Sequence, residues 1–399
     1  MVDSWLLLLL VTAIGIGWYL GQRSSSVMSQ QHAQTALQQQ YYKGLNYLLN
    51  DQPDGALDAF IEALDVNSET LETHIAVGNL MRRKGEVERA IRIHQNLLSR
   101  PTLPREQLHQ AHLELAKDFI SAGLLDRAEL LLEDLIVDAP ELHKTATLLL
   151  LEILQDEKEW RQAVVKAQQL LPKKTLLKAA AGDPMIVRAL SHYYCELAEQ
   201  ALDKHDYHAA RKDLKQSLMH DKDCVRASLL LARAEYETGH YENAVKSLHK
   251  IRHQNLSYVS ESINLLKLCC EKLNDPQSFQ RYLKMCLDLY PSVSVVLALA
   301  EDIQRLEGDE AAAKFMGGEL KRRPSLRGLD KLVALHVANS QGTARDNLVI
   351  LQALIHKLMA SKPHYRCQHC GFSGKKLHWL CPSCKQWGEV APIRGAEGD

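Results

Sequence analysis

Four cysteines near the end of the chain are spaced for metal chemistry. They form two CxxC pairs, Cys367 with Cys370 and Cys381 with Cys384, and ten residues separate the pairs. Two pairs at this spacing can fold back as two turns and direct four thiolates at one ion, in the tetrahedral geometry that suits zinc or a single iron. A segment this short buries too little apolar surface to fold alone, so metal binding would supply most of its folding free energy.

The residues around the two pairs resemble a rubredoxin-type zinc ribbon, predicted over residues 363–392. Gly371 follows the first pair and permits the positive φ that turns backbone N–H groups toward sulfur. Lys385 stands at the matching place after the second pair, where the rubredoxin pattern often has glycine. We predict one bound zinc; iron is the alternative ion and two disulfides are the alternative chemistry. Three aromatic residues are expected to form a compact mini-core: Tyr365, Trp379 and Trp387.

Length and charge limit the number of domains that the chain can form and the classes of partner that it can bind. With 399 residues and 46% hydrophobic composition, it can form two or three domains or one extended repeat array. The net charge is −1, and residues 363–399 carry five Lys or Arg against three Asp or Glu, so we expect no nucleic-acid partner. A nucleic-acid-binding ribbon is kept as an alternative. The other five cysteines occupy apolar positions, which favours free buried thiols and a reducing compartment: Cys195, Cys224, Cys269, Cys270 and Cys286.

Residues 1–22 predict a membrane anchor. Residues 4–22 carry no charge, and as a helix they would span ~28 Å at ~1.5 Å per residue, close to the ~30 Å hydrocarbon thickness of a bilayer. Trp5 and Trp18 suit the two interfaces. A cleaved signal peptide would need a basic start and a small-residue cleavage site, which this segment lacks. Arg23 follows the span, so the positive-inside rule places the rest of the chain in the cytoplasm.

A polar tether over residues 23–36, rich in Ser and Gln, leads into a repetitive region. Three residue pairs lie 34 positions apart: Gly44 and Gly78, Ala56 and Ala90, and Ala210 and Ala244. This period resembles the tetratricopeptide repeat. Residues 37–360 therefore predict an all-α superhelix of about eight or nine helical hairpins with a concave, protein-binding face.

Three further expectations concern the surface of this array. Pro172 and Pro184 bracket an insertion, which is the predicted bend or subdomain break. We expect the ribbon to dock on the last repeats, because the final repeat of a solenoid needs its exposed face covered. Five residues fall on first helices of hairpins, at positions that line the groove in tetratricopeptide proteins, and are candidate partner-binding residues: Asn79, Arg82, Lys117, Arg233 and Tyr236.

The whole chain resembles the lipopolysaccharide assembly protein B family, most specifically through Trp5–Gly21 ahead of the repeats and Tyr365–Gly388 after them. That resemblance implies a single-pass inner-membrane adaptor that faces the cytoplasm and regulates lipopolysaccharide synthesis. Its implied partners are the FtsH protease and the LpxC deacetylase, whose degradation it would promote. Other inner-membrane lipopolysaccharide proteins would contact the membrane helix, and the protein would coordinate assembly components.

No catalytic motif accompanies these features. The sequence lacks HExxH, GxSxG, GxGxxG and P-loop patterns, so we predict that the protein is not an enzyme. From the residues alone, the prediction is a membrane-tethered scaffold that binds metal and proteins. A scaffold for other envelope assembly is the alternative within the same functional class.

Overall fold

The computed structural model describes residues 71–99, 103–172 and 182–395, together with four isolated positions nearer the start of the chain. The predicted anchor, the tether and the first residues of the predicted array lie outside this part, apart from those positions. Among the described helices, none combines the length and apolar character needed to cross a membrane.

Sixteen α-helices follow one another in the described chain, in the alternating order of eight tetratricopeptide hairpins. The first helices of the hairpins are α1 (Leu71–Arg83), α3 (Arg105–Ser121), α5 (His143–Asp156), α7 (Pro184–Asp203), α9 (Val225–Glu237), α11 (Val259–Lys272), α13 (Val293–Glu307) and α15 (Leu326–Ala338). The second helices are α2 (Val87–Leu98), α4 (Leu125–Asp138), α6 (Trp160–Gln169), α8 (Tyr207–His220), α10 (Tyr241–Gln254), α12 (Pro276–Leu289), α14 (Asp309–Arg322) and α16 (Gly342–Ala360). A 3₁₀ turn, Leu256–Tyr258, precedes α11.

Six of the eight hairpins share a turn geometry, and five of these six carry a fully buried alanine in the second helix. A residue with positive φ ends the first helix in the αL conformation, which favours glycine because it has no Cβ. Three of these turns use glycine and three use another residue: Gly85, Gly123 and Gly239, and Lys158, His205 and Asn274. Five alanines of the second helices have no exposed surface, and their small side chains let the second helix approach the first: Ala90, Ala128, Ala163, Ala210 and Ala244.

The described chain forms two compact units, one ending at Ile153 and one beginning at Leu154. The predicted break at the insertion between Pro172 and Pro184 is therefore wrong in position. The reason lies in α6 and α7, which flank the insertion and pack together in the second unit. Trp160 and Tyr193 stack there with ring centroids 6.0 Å apart, so the insertion does not separate the helices on either side of it.

In the second unit the first helices form a continuous layer. Contacts run from α7 to α9, then to α11, α13 and α15. This is the arrangement in which first helices line the inner face of a tetratricopeptide array. A hydrophobic core extends from Val225 to Leu299 through this layer and its second helices, and it also contains Ala391 from the C-terminal segment.

After α16 the chain forms a three-stranded antiparallel sheet in the order β2–β1–β3. The strands are β1 (Tyr365–Cys367), β2 (Ser373–Gly374) and β3 (Val390–Pro392). Cys367 in the central strand pairs with Val390 in β3. The described structure is thus a helical tetratricopeptide array followed by a small ribbon, as the sequence predicts.

A close contact in the first unit explains why residue 78 is glycine. A methyl group at Gly78 of α1 would lie 2.4 Å from Nε2 of His94 in α2. His94 is fully buried, and its Nδ1 lies 2.5 Å from Oδ2 of Asp118, which is also fully buried. An added methyl group would therefore press on a buried imidazole that Asp118 holds from the other ring nitrogen.

We predict that Gly78→Ala destabilises the first unit by ~1–3 kcal/mol, because overpacking a filled core forces side chains or backbone to shift. Urea denaturation followed by far-UV circular dichroism measures the change. Gly318→Ala is the matched control, because Gly318 lies in α14 with no atom within 4 Å of the added Cβ. That control should gain up to ~1 kcal/mol from helix propensity, and equal effects of the two substitutions would contradict the packing explanation.

Candidate metal centre and its docking surface

Two turns with the same hydrogen bonds hold the four cysteines. In each turn, the carbonyl oxygen of the first cysteine accepts from the N–H four residues later. The N–H of the same cysteine donates to the carbonyl five residues later. The two distances are 3.0 and 2.7 Å in the turn that starts at Cys367, and 2.9 and 3.0 Å in the turn that starts at Cys381. The structure therefore builds two equivalent turns that face each other.

The four sulfur atoms fit a tetrahedral metal site. Sγ of Cys367 lies 3.7 Å from Sγ of Cys384, and the same distance separates Cys370 from Cys381. All four sulfur atoms lie within 4.8 Å of one another. With metal–sulfur bonds of ~2.3 Å, the corners of a tetrahedron are ~3.8 Å apart, whereas a disulfide requires ~2.05 Å. The site can hold one metal ion, and the spacing does not match a pair of disulfides.

Lys385 takes the backbone conformation that the glycine of the first turn takes. Its φ is 55°, and that of Gly371 is 80°. The αL region costs a lysine ~1–2 kcal/mol. Nζ of Lys385 lies 2.7 Å from Oδ1 of Asp156 at the end of α5, so this departure from the rubredoxin pattern adds a contact to the array.

Thiol acidity differs among the cysteines when no ion is bound. The backbone N–H of Phe372 donates to Cys370 and lowers the pKa of that thiol to about 6. Desolvation raises the pKa of Cys384 to about 12. A metal ion requires all four groups as thiolates, so binding would release protons and depend on pH.

The indole of Trp387 leaves the ribbon and is buried against the array, with 5% of its surface exposed. It stacks on His192 of α7 at 4.9 Å between ring centroids. It meets Trp160 and Tyr193 edge-on at 6.3 and 6.0 Å. Its Nε1 donates a hydrogen bond to Oε1 of Gln155 at 2.6 Å. One side chain of the ribbon therefore reaches a pocket made by α5, α6 and α7.

A second anchor point joins the ribbon to the start of α11. The indole of Trp379 stacks on Tyr258 at 5.5 Å, and the Tyr258 hydroxyl donates to the carbonyl of Val390 at 2.8 Å. Trp379 also lies 6.0 Å from His192. Burial, and then two nearby arginines, hold the pKa of His192 well below its usual value, so the imidazole between the two indoles is neutral.

Polar contacts surround these aromatic anchors. Three of them join ribbon side chains to helices of the array: Lys385 with Asp156, Glu389 with Arg188, and Tyr365 with Glu261. Exposed ion pairs contribute ~0–1 kcal/mol each, whereas burying an aromatic side chain contributes several times more. The two indoles therefore contribute most of the free energy of docking, and the surrounding polar contacts set the orientation of the ribbon on the array.

Two sequence predictions about the ribbon need correction. The ribbon docks, but mainly on α7, the 3₁₀ turn and α11 rather than on the last repeats, because the aromatic partners of its two indoles lie there. Near the last helix, Lys375 donates to the carbonyl of Ala360 at 2.6 Å. The mini-core prediction holds for Tyr365, which packs inside the ribbon, but Trp379 and Trp387 pack outward onto the array.

Three of the five candidate partner-binding residues lie together in the first unit. Arg82 in α1 contacts Asp118 at 2.6 Å and Glu114 at 2.9 Å, both in α3. It also donates to Asn79 at 2.6 Å, and Lys117 pairs with Glu114 at 2.7 Å. This network ties α1 to α3, so these side chains already have structural partners. That they bind another protein stays a prediction.

The other two candidates lie on α9 in the second unit. Arg233 is exposed and pairs with Glu237 at 2.9 Å. Tyr236 lies with its ring centroid 5.5 Å from that of Tyr241 and packs on the hydrophobic core. The structure thus places the five candidates on first helices, as predicted, but in two separate groups.

A cleft that the sequence prediction missed lies between the ribbon and the first-helix layer. Its volume is about 380 Å³. The array contributes α11, α13 and α15, and the ribbon contributes residues from β1 and β3. Charged side chains line it: Glu261, Lys267, Glu301 and Arg327. Lys267 and Glu301 pair at 3.2 Å across two helices. This polar cleft is a candidate site for a segment of another protein.

We predict one metal ion per chain in protein purified under reducing conditions, measured by elemental analysis. Replacing Cys381 and Cys384 together by serine should remove it, because two ligands cannot complete tetrahedral coordination. A double variant of the buried pair Cys269 and Cys270 is the matched control, since these thiols lie in α11 outside the site. Metal retained by the Cys381/Cys384 variant would rule out this site.

We predict that Trp387→Ala lowers the free energy of unfolding of the second unit by ~3–5 kcal/mol, the usual cost of deleting a buried aromatic. The metal content should not change, because Trp387 is not a ligand. Trp387→Phe is the control, because it keeps an aromatic ring and loses the hydrogen bond to Gln155. It should lower the free energy of unfolding by only ~1 kcal/mol. Urea denaturation monitored by circular dichroism measures both, and a wild-type midpoint for Trp387→Ala would show that docking contributes little.

Comparison with known proteins agrees with this architecture. The family described as "Rubredoxin metal binding domain" matches residues 365–392, and the family described as "Tetratricopeptide repeat" matches residues 201–261. Lipopolysaccharide assembly protein B of Escherichia coli (strain K12) is 36% identical over 394 residues, which cover 98% of this chain and 99% of the relative. The protein of the same name from Haemophilus influenzae is 34% identical over 404 residues, 98% of each chain.

These relatives match the array and the ribbon together, in the same order and over nearly the full length. An identity of 34–36% at this coverage exceeds what a shared repeat alone would explain. The chain belongs to the lipopolysaccharide assembly protein B family.

Proposed function

We propose that the protein is a membrane-anchored, cytoplasm-facing adaptor that regulates lipopolysaccharide biosynthesis. It would present the LpxC deacetylase to the FtsH protease and help coordinate lipopolysaccharide assembly components at the inner membrane. The observation that carries the proposal is the ribbon docked on the first-helix layer of the array, beside a cleft lined by both. Membership of the family supports the link to lipopolysaccharide.

A binding role follows from the form of this surface. Tetratricopeptide arrays bind protein segments on the layer made by their first helices. Here the ribbon supplies one wall of the cleft, so its position decides the shape of the site. We propose that the protein has no catalytic step of its own and acts by holding partners close together, which raises their effective concentration.

Zinc is the ion that we propose for the four-cysteine site. Four thiolates without an open coordination position suit a structural zinc ion, which has no redox chemistry. The zinc ion would stabilise the folded ribbon. The folded ribbon would then dock on the array and stabilise the second unit. Iron is the alternative, and elemental analysis distinguishes the two.

The docking geometry argues against the rival role in nucleic-acid binding. Single-stranded nucleic acids stack their bases on exposed aromatic side chains. Trp387 is buried against the array, and Trp379 stacks on Tyr258. The aromatic side chains that a nucleic acid would use are thus engaged inside the protein.

The experiment compares the lifetime of LpxC in cells that carry the wild-type protein, no protein, or a cleft variant. Reversing Lys267 and Arg327 together to glutamate should lengthen the lifetime toward that of cells without the protein. Loss of ~1.4 kcal/mol of binding free energy would weaken binding about tenfold.

Lys246→Glu is the matched control for this experiment, since Lys246 is an exposed lysine on α10, a second helix outside the cleft. It should leave the lifetime unchanged. An unchanged lifetime in the cleft variant would remove the cleft from the proposal. An equal lifetime in cells with and without the wild-type protein would contradict the proposed function as a whole.

A further inference from the structure

The last helix of the array leaves an apolar stripe uncovered. Four large aliphatic side chains lie on one side of α16, where Leu354 follows the neighbours Ile350 and Leu351 and precedes Leu358 by one helical turn. Each of the four is between 41 and 59% exposed. Ile355, which is buried, borders the stripe and lies with the partly buried Leu348 and Met359 on the side of α16 that packs on α15. An exposed cluster of this kind is unusual on a monomer surface and marks an interaction site.

The position of α16 makes the stripe more unusual. Terminal repeats of a solenoid normally present a polar outer face to solvent. The ribbon follows α16 directly, but it docks on α7 and α11, and Lys375 reaches only the carbonyl of Ala360 at the end of the helix. Within the described part of the chain, nothing covers the stripe.

We propose that the stripe binds the same stripe of a second copy of the protein, with the two α16 helices antiparallel. A twofold axis near residue 352 would then place Ile350 of one copy on Leu354 of the other, twice. Such a contact is self-complementary, as a twofold interface must be. The apolar residues would fill the centre of the interface.

Charge supports the antiparallel direction. Asp346 and Lys357 flank the stripe on one side, in the second turn and in the last turn of α16. Neither of them forms an ion pair within the described residues. The twofold axis brings Asp346 of one copy opposite Lys357 of the other, whereas a parallel pair would place like charges together. The sequence of this one helix therefore specifies both the partner and its direction.

The proposed contact is small. A helix of 19 residues is ~28 Å long, so one helix pair falls at the low end of stable interfaces. We expect a reversible dimer with a dissociation constant on the order of micromolar, sensitive to single substitutions in the stripe.

A photo-crosslinking amino acid at Asn347, an exposed position within the stripe, tests the contact directly. Full-length protein is cross-linked in cells before lysis, and mass spectrometry identifies the joined peptides. The expected adduct joins Asn347 to the α16 peptide of a second copy, near Lys357. The same crosslinker at Arg345, on the opposite side of α16, is the control and should give no such adduct.

Substitutions decide whether the contact has the proposed chemistry. Leu354→Glu should reduce the adduct at least about tenfold, equal to ~1.4 kcal/mol, whereas Leu306→Glu, at a similarly exposed leucine of α13, should not. Asp346→Lys alone and Lys357→Asp alone should each reduce the adduct, and the double reversal should restore it. Circular dichroism checks that each variant is folded.

Three outcomes would overturn the proposal. They are no adduct between copies, an adduct of Asn347 with another protein or with lipid, and a double reversal that fails to restore the adduct. An adduct with lipid would instead make the stripe a membrane-contacting face. An adduct with a different segment of a second copy would indicate a head-to-tail contact.

Discussion

The convergence of four cysteine sulfur atoms on one point is the constraint on which the C-terminal end of this protein depends. The ribbon has three strands of two or three residues, and its own core is a few side chains around Cys367, Cys381 and Val390. Burial of that size does not offset the entropy of ordering ~30 residues, which costs ~1–2 kcal/mol per residue for the backbone alone. A structural zinc ion supplies ~10–16 kcal/mol in comparable small domains. The sulfur atoms of two cysteine pairs lie 3.7 Å apart, which is the spacing that binding of such an ion requires.

The turns that hold the four cysteines also fix the surface that the ribbon presents to the array. Trp379 and Trp387 flank the second cysteine pair, so forming that turn sets the direction of both indoles. They insert between helices that are distant in sequence, and the neutral imidazole of His192 lies between them. Folding of the ribbon is in this way coupled to packing of the second unit and to one wall of the polar cleft. The ribbon acts as a structural part of the scaffold.

The sequence predicted the parts of the structure that depend on local spacing. The CxxC pairs predicted the sulfur cluster, and the 34-residue period and buried alanines such as Ala210 predicted the hairpins. It failed where the outcome depends on distant residues. As a large aromatic residue beside the second cysteine pair, Trp387 suits the core of the ribbon. Only the tertiary fold brings Gln155 and His192 to it. One signal was present: two tryptophans are more than a ribbon of this size can bury, so an outside pocket could have been expected.

The most direct test of this account is hydrogen exchange of the full chain with its metal bound and after removal of the metal by a chelator. If the metal folds the ribbon and the ribbon stabilises the array, removal should reduce amide protection in residues 186–193 and 256–263, which contact the ribbon. Protection across residues 71–99 of the first unit should not change. Full protection of 186–193 and 256–263 in the metal-free protein would contradict the account, because the array would then be stable without the ribbon.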